Sequence, residues 1–280
     1  AFDRAEVKFR LDANNEPIGA YLKQAGDSNK LIEEFMLLAN KHVAHYVGRQ
    51  GDGKRSTRTM VYRIHDQPDP TKLETLSLFV RPLGYALATQ GTQAVRKSIN
   101  DLLSRVKGTP EANMLETLTV RTMAKAVYST QNIGHYGLAF DDYSHFTSPI
   151  RRYPDMMVHR LLQGFLDKEK NPSAAVYEEL CEHSSSREQN ASEAERSSIK
   201  YMQAKYMEKY LGEAFDGIIS GVTDWGVFVE IPNMGCEGLV RLREFTDDYY
   251  YVEAEQFQIV GERSGRTYRL GDPLRIVVKE

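Results

Sequence analysis

The chain of 280 residues carries 36 Lys and Arg against 39 Asp and Glu, a formal net charge of −3, with 41% hydrophobic and 27% charged residues. That composition suits a globular protein with room for one large domain and a small one; it excludes a uniformly basic nucleic-acid coat but not a basic channel inside an acidic shell. No apolar run reaches the ~20 residues of a membrane span, the opening residues do not read as a signal peptide, and Cys181 and Cys236 lack metal-ligand spacing, so free thiols in a reducing, cytoplasmic compartment are expected.

Residues 5–11 (AEVKFRL) alternate in polarity like a strand, NNEP supplies a turn, and residues 18–23 are the expected hairpin partner. Residues 28–47 read as an amphipathic helix capped by Ser28 or Asp27, with Ile32, Phe35, Met36, Ala39, Val43 and Tyr46 as its apolar stripe. Glu33 and Glu34 border that stripe and, on the residues alone, are solvated carboxylates. GRQGDGKRST (48–57) is a surface loop, and MVYRIHDQPDP a strand followed by a turn at Pro68 and Pro70. Helices are expected at 71–82, 91–106 and 111–128. His65 and Asp66 are metal-ligand types without partners at ligand spacing, which assigns them a structural role.

The stretch 135–162, HYGLAFDDYSHFTSPIRRYPDMMVHRLL, concentrates the unusual chemistry. NIGHYGLAF before its middle reads as a strand, and Met156, Met157, Leu161, Leu162 and Phe165 recur at helical spacing after it. Ser148 can cap that helix with Pro149 in its first turn; alternatively, because Pro154 would kink such a helix, the helix begins at Pro154 and SPIRRY is a separate tight turn. Arg151 and Arg152 oppose the dipole of a helix start, which makes sense where a phosphate is gripped by guanidinium forks. The competing reading is that they pair with Asp141, Asp142 or Asp155 and staple the turn. Residues 173–211 form a long helical pattern of mixed charge, in which Lys200, Lys205 and Lys209 either face a polyanion or, by default, decorate a surface. From Gly212 onward, short strands with Gly at the turns suit a small Greek-key barrel.

HFTSPIRRYPDMMVHR resembles the signature of the RNB catalytic domain of the ribonuclease II / ribonuclease R family, most closely the ribonuclease R branch; EVKFRLD, KLIEEFMLLAN, VYRIHDQPDPTKLE, KGTP and NIGHYGLA follow the same family order. The barrel resembles the ribosomal-protein S-one type of OB-fold. The resemblance implies an α+β chain: part of an RNB domain over 1–211, then an OB-fold over 212–280 whose last strand is expected to be missing. It implies processive hydrolysis of single-stranded RNA from a free 3′ end, with Mg²⁺, releasing nucleoside 5′-monophosphates. Carried over by position, Arg151 holds the scissile phosphate, with Arg152 and Ser148 beside it. Glu33 or Glu34 binds a ribose hydroxyl, Glu195 lies along the RNA exit path, and Phe2 stacks on a base. In the barrel Trp225 and Phe228 are stacking aromatics and Arg241 stands where the family often has His. Odd spacing puts Trp225 and Phe228 on opposite faces of an ideal strand unless a bulge at Gly226 unites them.

One family feature is absent. Nothing before Glu33 resembles the family's Asp-rich metal cluster, and Asp141 and Asp142, adjacent on an extended run, point apart. The chain is therefore expected to be the C-terminal part of a longer exoribonuclease, with its Mg²⁺ ligands upstream and none of its own. Two other classes compete: a non-catalytic RNA-binding or RNA-chaperone protein with an inert RNB remnant, and a hydrolase using Ser148, His145 and Asp142. The last is disfavoured because no Gly-flanked nucleophile elbow is present.

Overall fold

The computed structural model describes residues 6–23, 26–109, 112–232 and 234–279; Phe2, the expected base clamp, lies outside them. A hairpin opens the described chain, β1 (Glu6–Leu11) antiparallel to β2 (Pro17–Lys23). Asp12 closes its turn by accepting the amides of Asn14 and Glu16, both at 2.8 Å. Next come α1 (Asp27–Gly48), β3 (Tyr62–Ile64), α2 (Pro70–Val80), α3 (Thr92–Val106), α4 (Ala112–Thr122) and β4 (Val127–Ser129). Then follow α5 (Tyr153–Leu166), α6 (Ala174–Met207), β5 (Ala214–Thr223), β6 (Gly226–Ile231), β7 (Cys236–Arg241), β8 (Tyr250–Glu253), β9 (Gln258–Gly261), β10 (Thr267–Arg269) and β11 (Pro273–Val277). Among the described residues no helix is long and apolar enough to cross a membrane.

The chain divides into two compact units, one of residues 1–24, 69–122 and 196–280, the other of residues 25–68 and 123–195. In the first, α2 starts where sequence chemistry puts it: Asp69 accepts the amides of Thr71 and Lys72 (2.9 and 3.2 Å), with Pro70 in the first turn. The strands after Gly212 make two antiparallel sheets, ordered β11-β5-β6-β7 and β10-β9-β8, with Ile219, Val227, Val229 and Ile259 fully buried. The ladder between β5 and β6 shifts register between Ile219 and Gly221. The irregularity therefore lies on β5, not at Gly226. Lys205 binds Glu16 at 2.6 Å and Lys209 donates to the carbonyl of Pro17 at 2.5 Å. Those two lysines tie the end of α6 and the 3-10 turn that follows it (Glu208–Tyr210) to the opening hairpin rather than presenting free charge to RNA.

In the second unit Ala44, Val47, Met60, Val61, Met157, Val158 and Cys181 form the core with Tyr62 and Tyr128. Only the C-terminal half of α1 reaches it. Of the expected stripe Val43 packs on the core, whereas Ile32, Phe35 and Tyr46 are more than half exposed. The buried face is instead Asn40, Ala44, Val47 and Gly48, because small residues let the helix approach: a Cβ on Gly48 would stand 2.4 Å from the Tyr62 hydroxyl oxygen. The N-cap is Gly26, neither Ser28 nor Asp27; its amide donates to the Asn29 side chain at 3.1 Å.

Two expected elements change character. The helix expected over 111–128 stops at Thr122, and residues 127–129 pair with β3; long-range pairing overrides a local helical pattern. NIGHYGLAF is not a strand. Gly134 and Ala139 adopt positive φ (82° and 57°), so the run closes into a 3-10 turn at Tyr136–Leu138, with His135 bridging singly to His65 and Phe140.

Candidate functional site

The site is built in the second unit around Ser148–Arg152. Helix α5 begins at Tyr153 with Arg152 at its N-cap position, and a separate turn precedes it, the amides of Arg151 and Arg152 donating to the Ser148 carbonyl at 3.3 and 3.0 Å. The tight-turn reading holds, and Ser148 does not cap α5: the family turn, followed by Pro154, costs the helix its first residues. The amide of Ser148 donates to Asp155 Oδ1 at 2.7 Å, and the same oxygen accepts Arg152 Nη2 at 2.9 Å. Asp155 is fully buried.

The two arginines thus part company. Arg152 is the staple that one sequence reading described, with its side chain 21% exposed. Arg151 is exposed and, among the described residues, has no carboxylate partner. Asp141 and Asp142 pair with neither. They do point apart, Asp141 to solvent and Asp142 inward, where Asp142 accepts Arg49 Nε (2.8 Å) and Asn132 Nδ2 (2.7 Å) and lies 3.3 Å from His45 Nδ1.

A buried polar scaffold holds the turn. Asn40, 3% exposed on α1, accepts the amides of Phe146 and Thr147 (2.9 and 3.2 Å) and donates to the Tyr143 hydroxyl at 3.2 Å. His159 stacks on Phe146, ring centroids 4.0 Å apart, and Nε2 lies 2.9 Å from the Phe146 carbonyl. The Tyr128 hydroxyl lies 2.8 Å from His145 Nδ1. Arg63 sits over the Tyr128 ring at 4.5 Å and grips Glu188 through both terminal nitrogens (2.5 and 3.1 Å). Sequence reasoning singled out neither Asn40, Arg63 nor Tyr128. The signal for Asn40 was present: an amide among the apolar positions of a helix is a buried group in need of partners.

Burial pushes His145 down to about 3, and the nearby guanidinium groups of Arg152 and Arg63 add to the shift. Burial likewise brings His135 to about 4, helped by His65 stacked 5.0 Å away and by Arg63. Both imidazoles are neutral near pH 7, and the arginines carry the positive field. Arg152 Nε, Asp155 Oδ2 and Thr147 Oγ1 are buried without a hydrogen-bond partner among the described residues. No Ser-His-Asp relay forms, since His145 is engaged by Tyr128 and Asp142 by Arg49 and Asn132.

Glu33 and Glu34 are exposed on α1 and Glu195 on α6; among the described residues none is joined to the turn by a hydrogen bond or ion pair. Among the described residues no three His, Cys, Asp or Glu side chains converge as a metal site, so the described donors do not fit the Mg²⁺ that the resemblance implies. In the first unit Trp225 is 78% exposed. It occupies the two-residue turn between β5 and β6, so strand alternation does not govern it and no bulge at Gly226 is needed. Phe228 is half-buried on β6, and Arg241 is exposed at the end of β7 opposite Gly226. Gly226 itself has φ 147°, and a Cβ there would stand 2.1 Å from the Val240 carbonyl oxygen.

The RNB domain family profile matches residues 1–168, and the S1 RNA binding domain profile matches residues 209–280. Ribonuclease R of Aquifex aeolicus is 39% identical over 278 residues, covering 98% of this chain and 38% of that protein. The structure of Mycoplasma genitalium RNase R in complex with ribose-methylated single-stranded RNA superposes with a TM-score of 0.88 at 27% identity, over 99% of this chain and 43% of the other. Yeast Ssd1, a pseudonuclease, shares the fold alone: TM-score 0.64 and 22% identity, over 82% of this chain and 29% of the other. The chain therefore spans well under half the length of these relatives.

Proposed function

The chain belongs to the RNB domain family, and from that premise we propose that it is the phosphate-positioning and RNA-gripping part of a processive, hydrolytic 3′-to-5′ exoribonuclease that releases nucleoside 5′-monophosphates. Residues 1–211 serve as the RNB portion and 212–280 as the RNA-binding barrel. The observation that carries the reading is the split of the arginine pair: Arg152 is neutralised by buried Asp155, and Arg151 stands exposed and unpaired beside it. A guanidinium presented this way binds a phosphodiester through two parallel N–H donors. Aimed at the scissile phosphate, it stabilises charge that grows in the transition state. Ser148 and Arg152 shape that turn, while Trp225, Phe228 and Arg241 hold bases and backbone of a single strand with a free 3′ end. Glu33, Glu34 and Glu195 contact RNA along its path. Mg²⁺, which the resemblance implies, would activate water and stabilise the leaving oxygen; the described donors do not fit it.

A second reading, RNA binding without catalysis, draws on the pseudonuclease that shares the fold and on there being no three-ligand cluster among the described residues. Two experiments decide. With Mg²⁺ and a 3′-tailed RNA, the 280-residue chain is expected to bind and to release no mononucleotide; failure to bind overturns RNA gripping, and steady release places metal ligands within this chain. A chimera in which this chain replaces the matching part of the Aquifex aeolicus relative releases 5′-monophosphates if the exonuclease reading holds, and only binds RNA if the second does.

A further inference from the structure

A cavity of about 420 Å³ opens in the first unit among α2, α4 and the segment ahead of β9. Leu76 and Leu118, each at least 97% buried, line it together with the ring of Phe257. Lys72, Thr75 and Arg121 supply its polar edge, and neither Lys72 nor Arg121 forms an ion pair among the described residues. Apolar walls with a few polar groups are the usual make-up of a small-ligand site, and the volume falls within their range of about 300–1,000 Å³. Phe257 is held in place from both sides. Its backbone is left-handed (φ 50°), a costly conformation for an aromatic residue, and the position is fixed by the Leu270 amide donating to its carbonyl at 3.0 Å and by edge contact with Phe79, centroids 5.2 Å apart.

A Cβ on Gly221 would stand 3.6 Å from Phe228 Cβ and 4.0 Å from Arg121 Nη2. Arg121, at the edge of the cavity, and Phe228, an aromatic assigned to base stacking, thus both lie close to the bare backbone of Gly221. Apolar walls, an aromatic side chain and, at the rim, two cations without an ion pair among the described residues suit a planar base carrying a phosphate.

We propose that this cavity is a nucleotide subsite, in which one base of single-stranded RNA rests against Phe257, Leu76 and Leu118 while Lys72 and Arg121 hold its flanking phosphates. The proposal rests on the RNA-gripping reading above and extends it to residues outside the barrel and the Ser-Pro-Ile-Arg turn.

The test compares wild type, a Lys72→Gln/Arg121→Gln double variant and Trp225→Ala, all as the 280-residue chain, by anisotropy with a fluorescent oligoribonucleotide across a salt series. Two phosphate contacts at about 0.7 each make the log K against log salt slope shallower by about 1.4 in the double variant, with little change in Trp225→Ala. With 4-thiouridine in the RNA, wild-type crosslinks are expected on peptides containing Phe257 or residues 118–122. An unchanged slope together with crosslinks confined to other peptides overturns the subsite. If Trp225→Ala weakens binding while the double variant does not, only the subsite fails. If wild type binds no RNA, the RNA-gripping reading fails and the subsite with it.

Discussion

Replacing Asp155 tests the central geometry directly. Its carboxylate is fully buried and serves two donors through one oxygen, the Ser148 amide at 2.7 Å and Arg152 Nη2 at 2.9 Å. Asp155→Ala strands a guanidinium that is 21% exposed and leaves the amide unpaired. Breaking a buried pair from one side costs about 3–5 kcal/mol, because the remaining charge keeps its desolvation penalty and loses its partner. Against the 5–15 kcal/mol typical of a whole domain, that is a large fraction. The two units need not unfold together, so a global midpoint is a poor reporter. Pulsed thiol labelling in urea separates them, since each unit holds one buried cysteine, Cys181 in the second and Cys236 in the first. Burial pushes their thiols up to about 12 and about 11, so neither reacts while folded. Asp155→Ala is expected to lower the Cys181 midpoint and leave that of Cys236 in place. Arg152→Met combined with Asp155→Asn is expected to cost less than the sum of the single changes, by roughly 0.5–3 kcal/mol. Equal shifts at the two cysteines, or strict additivity, would refute the staple.

The neutral histidines set a pH dependence. His145 and His135 titrate near 3 and 4 when folded against about 6.5 unfolded, so the unfolded chain binds more protons and their contribution, full above about pH 6.5, is lost as pH falls toward those values. The slope approaches about 1.4 kcal/mol per pH unit for each histidine; a urea midpoint for Cys181, read with a pyridyl disulfide, that stays flat from pH 6.5 to 4.5 contradicts it. Gly226→Ala drives a methyl into the Val240 carbonyl and is expected to cost roughly 2–4 kcal/mol, read as a lower Cys236 midpoint with Cys181 unmoved. Trp225→Ala is expected to weaken RNA binding by about 1–3 kcal/mol, and the emission of this single, 78% exposed tryptophan should lie to the red and respond to RNA; blue emission indifferent to RNA makes it a core residue. In the chimera Arg151→Ala is expected to slow single-turnover cleavage about 10²–10³-fold with RNA and Mg²⁺ saturating, and Arg151→Lys to recover little. Near wild-type cleavage with weaker binding reduces Arg151 to a tether.

Local chemistry was legible wherever it decided structure locally. The opening hairpin, the Asp69-Pro70 start of α2, the long α6 and the strand-rich segment after Gly212 each carried its own turn or cap signal. The errors fall where a distant partner decides. Residues 127–129 look helical until β3 is there to pair with them. The apolar stripe of α1 shows periodicity but not which half of the helix meets a core. The bulge expected at Gly226 was invoked to unite two residues of one strand, but Trp225 lies in the turn. At the site, the family signature located the arginines and the residues alone left their roles open. What separates the two roles is the Asp155 carboxylate, read from the sequence as one of three candidate partners and selected by the tertiary fold.

That selection has an electrostatic logic. Two neighbouring guanidinium groups on one turn repel each other, and a helix start adds the positive end of its dipole. An acidic residue in the first turn of α5 offsets both, and Asp155, three residues after Arg152, is placed to do so while capturing the Ser148 amide. The cost of burying Arg152 is thereby met within the turn, which leaves Arg151 projecting beside Ile150, whose side chain is fully exposed. His145 completes the arrangement from below. Held neutral by burial and by its guanidinium neighbours, it adds no competing charge, and it anchors to Tyr128 rather than to a carboxylate that would cancel the field. Under the proposed function, a phosphate arriving at this turn meets one cation that has no carboxylate partner among the described residues, beside polar groups already oriented by one another. In the proposed role Arg151 stabilises a transition state more than a ground state, and that role depends on Asp155 taking the other arginine out of play.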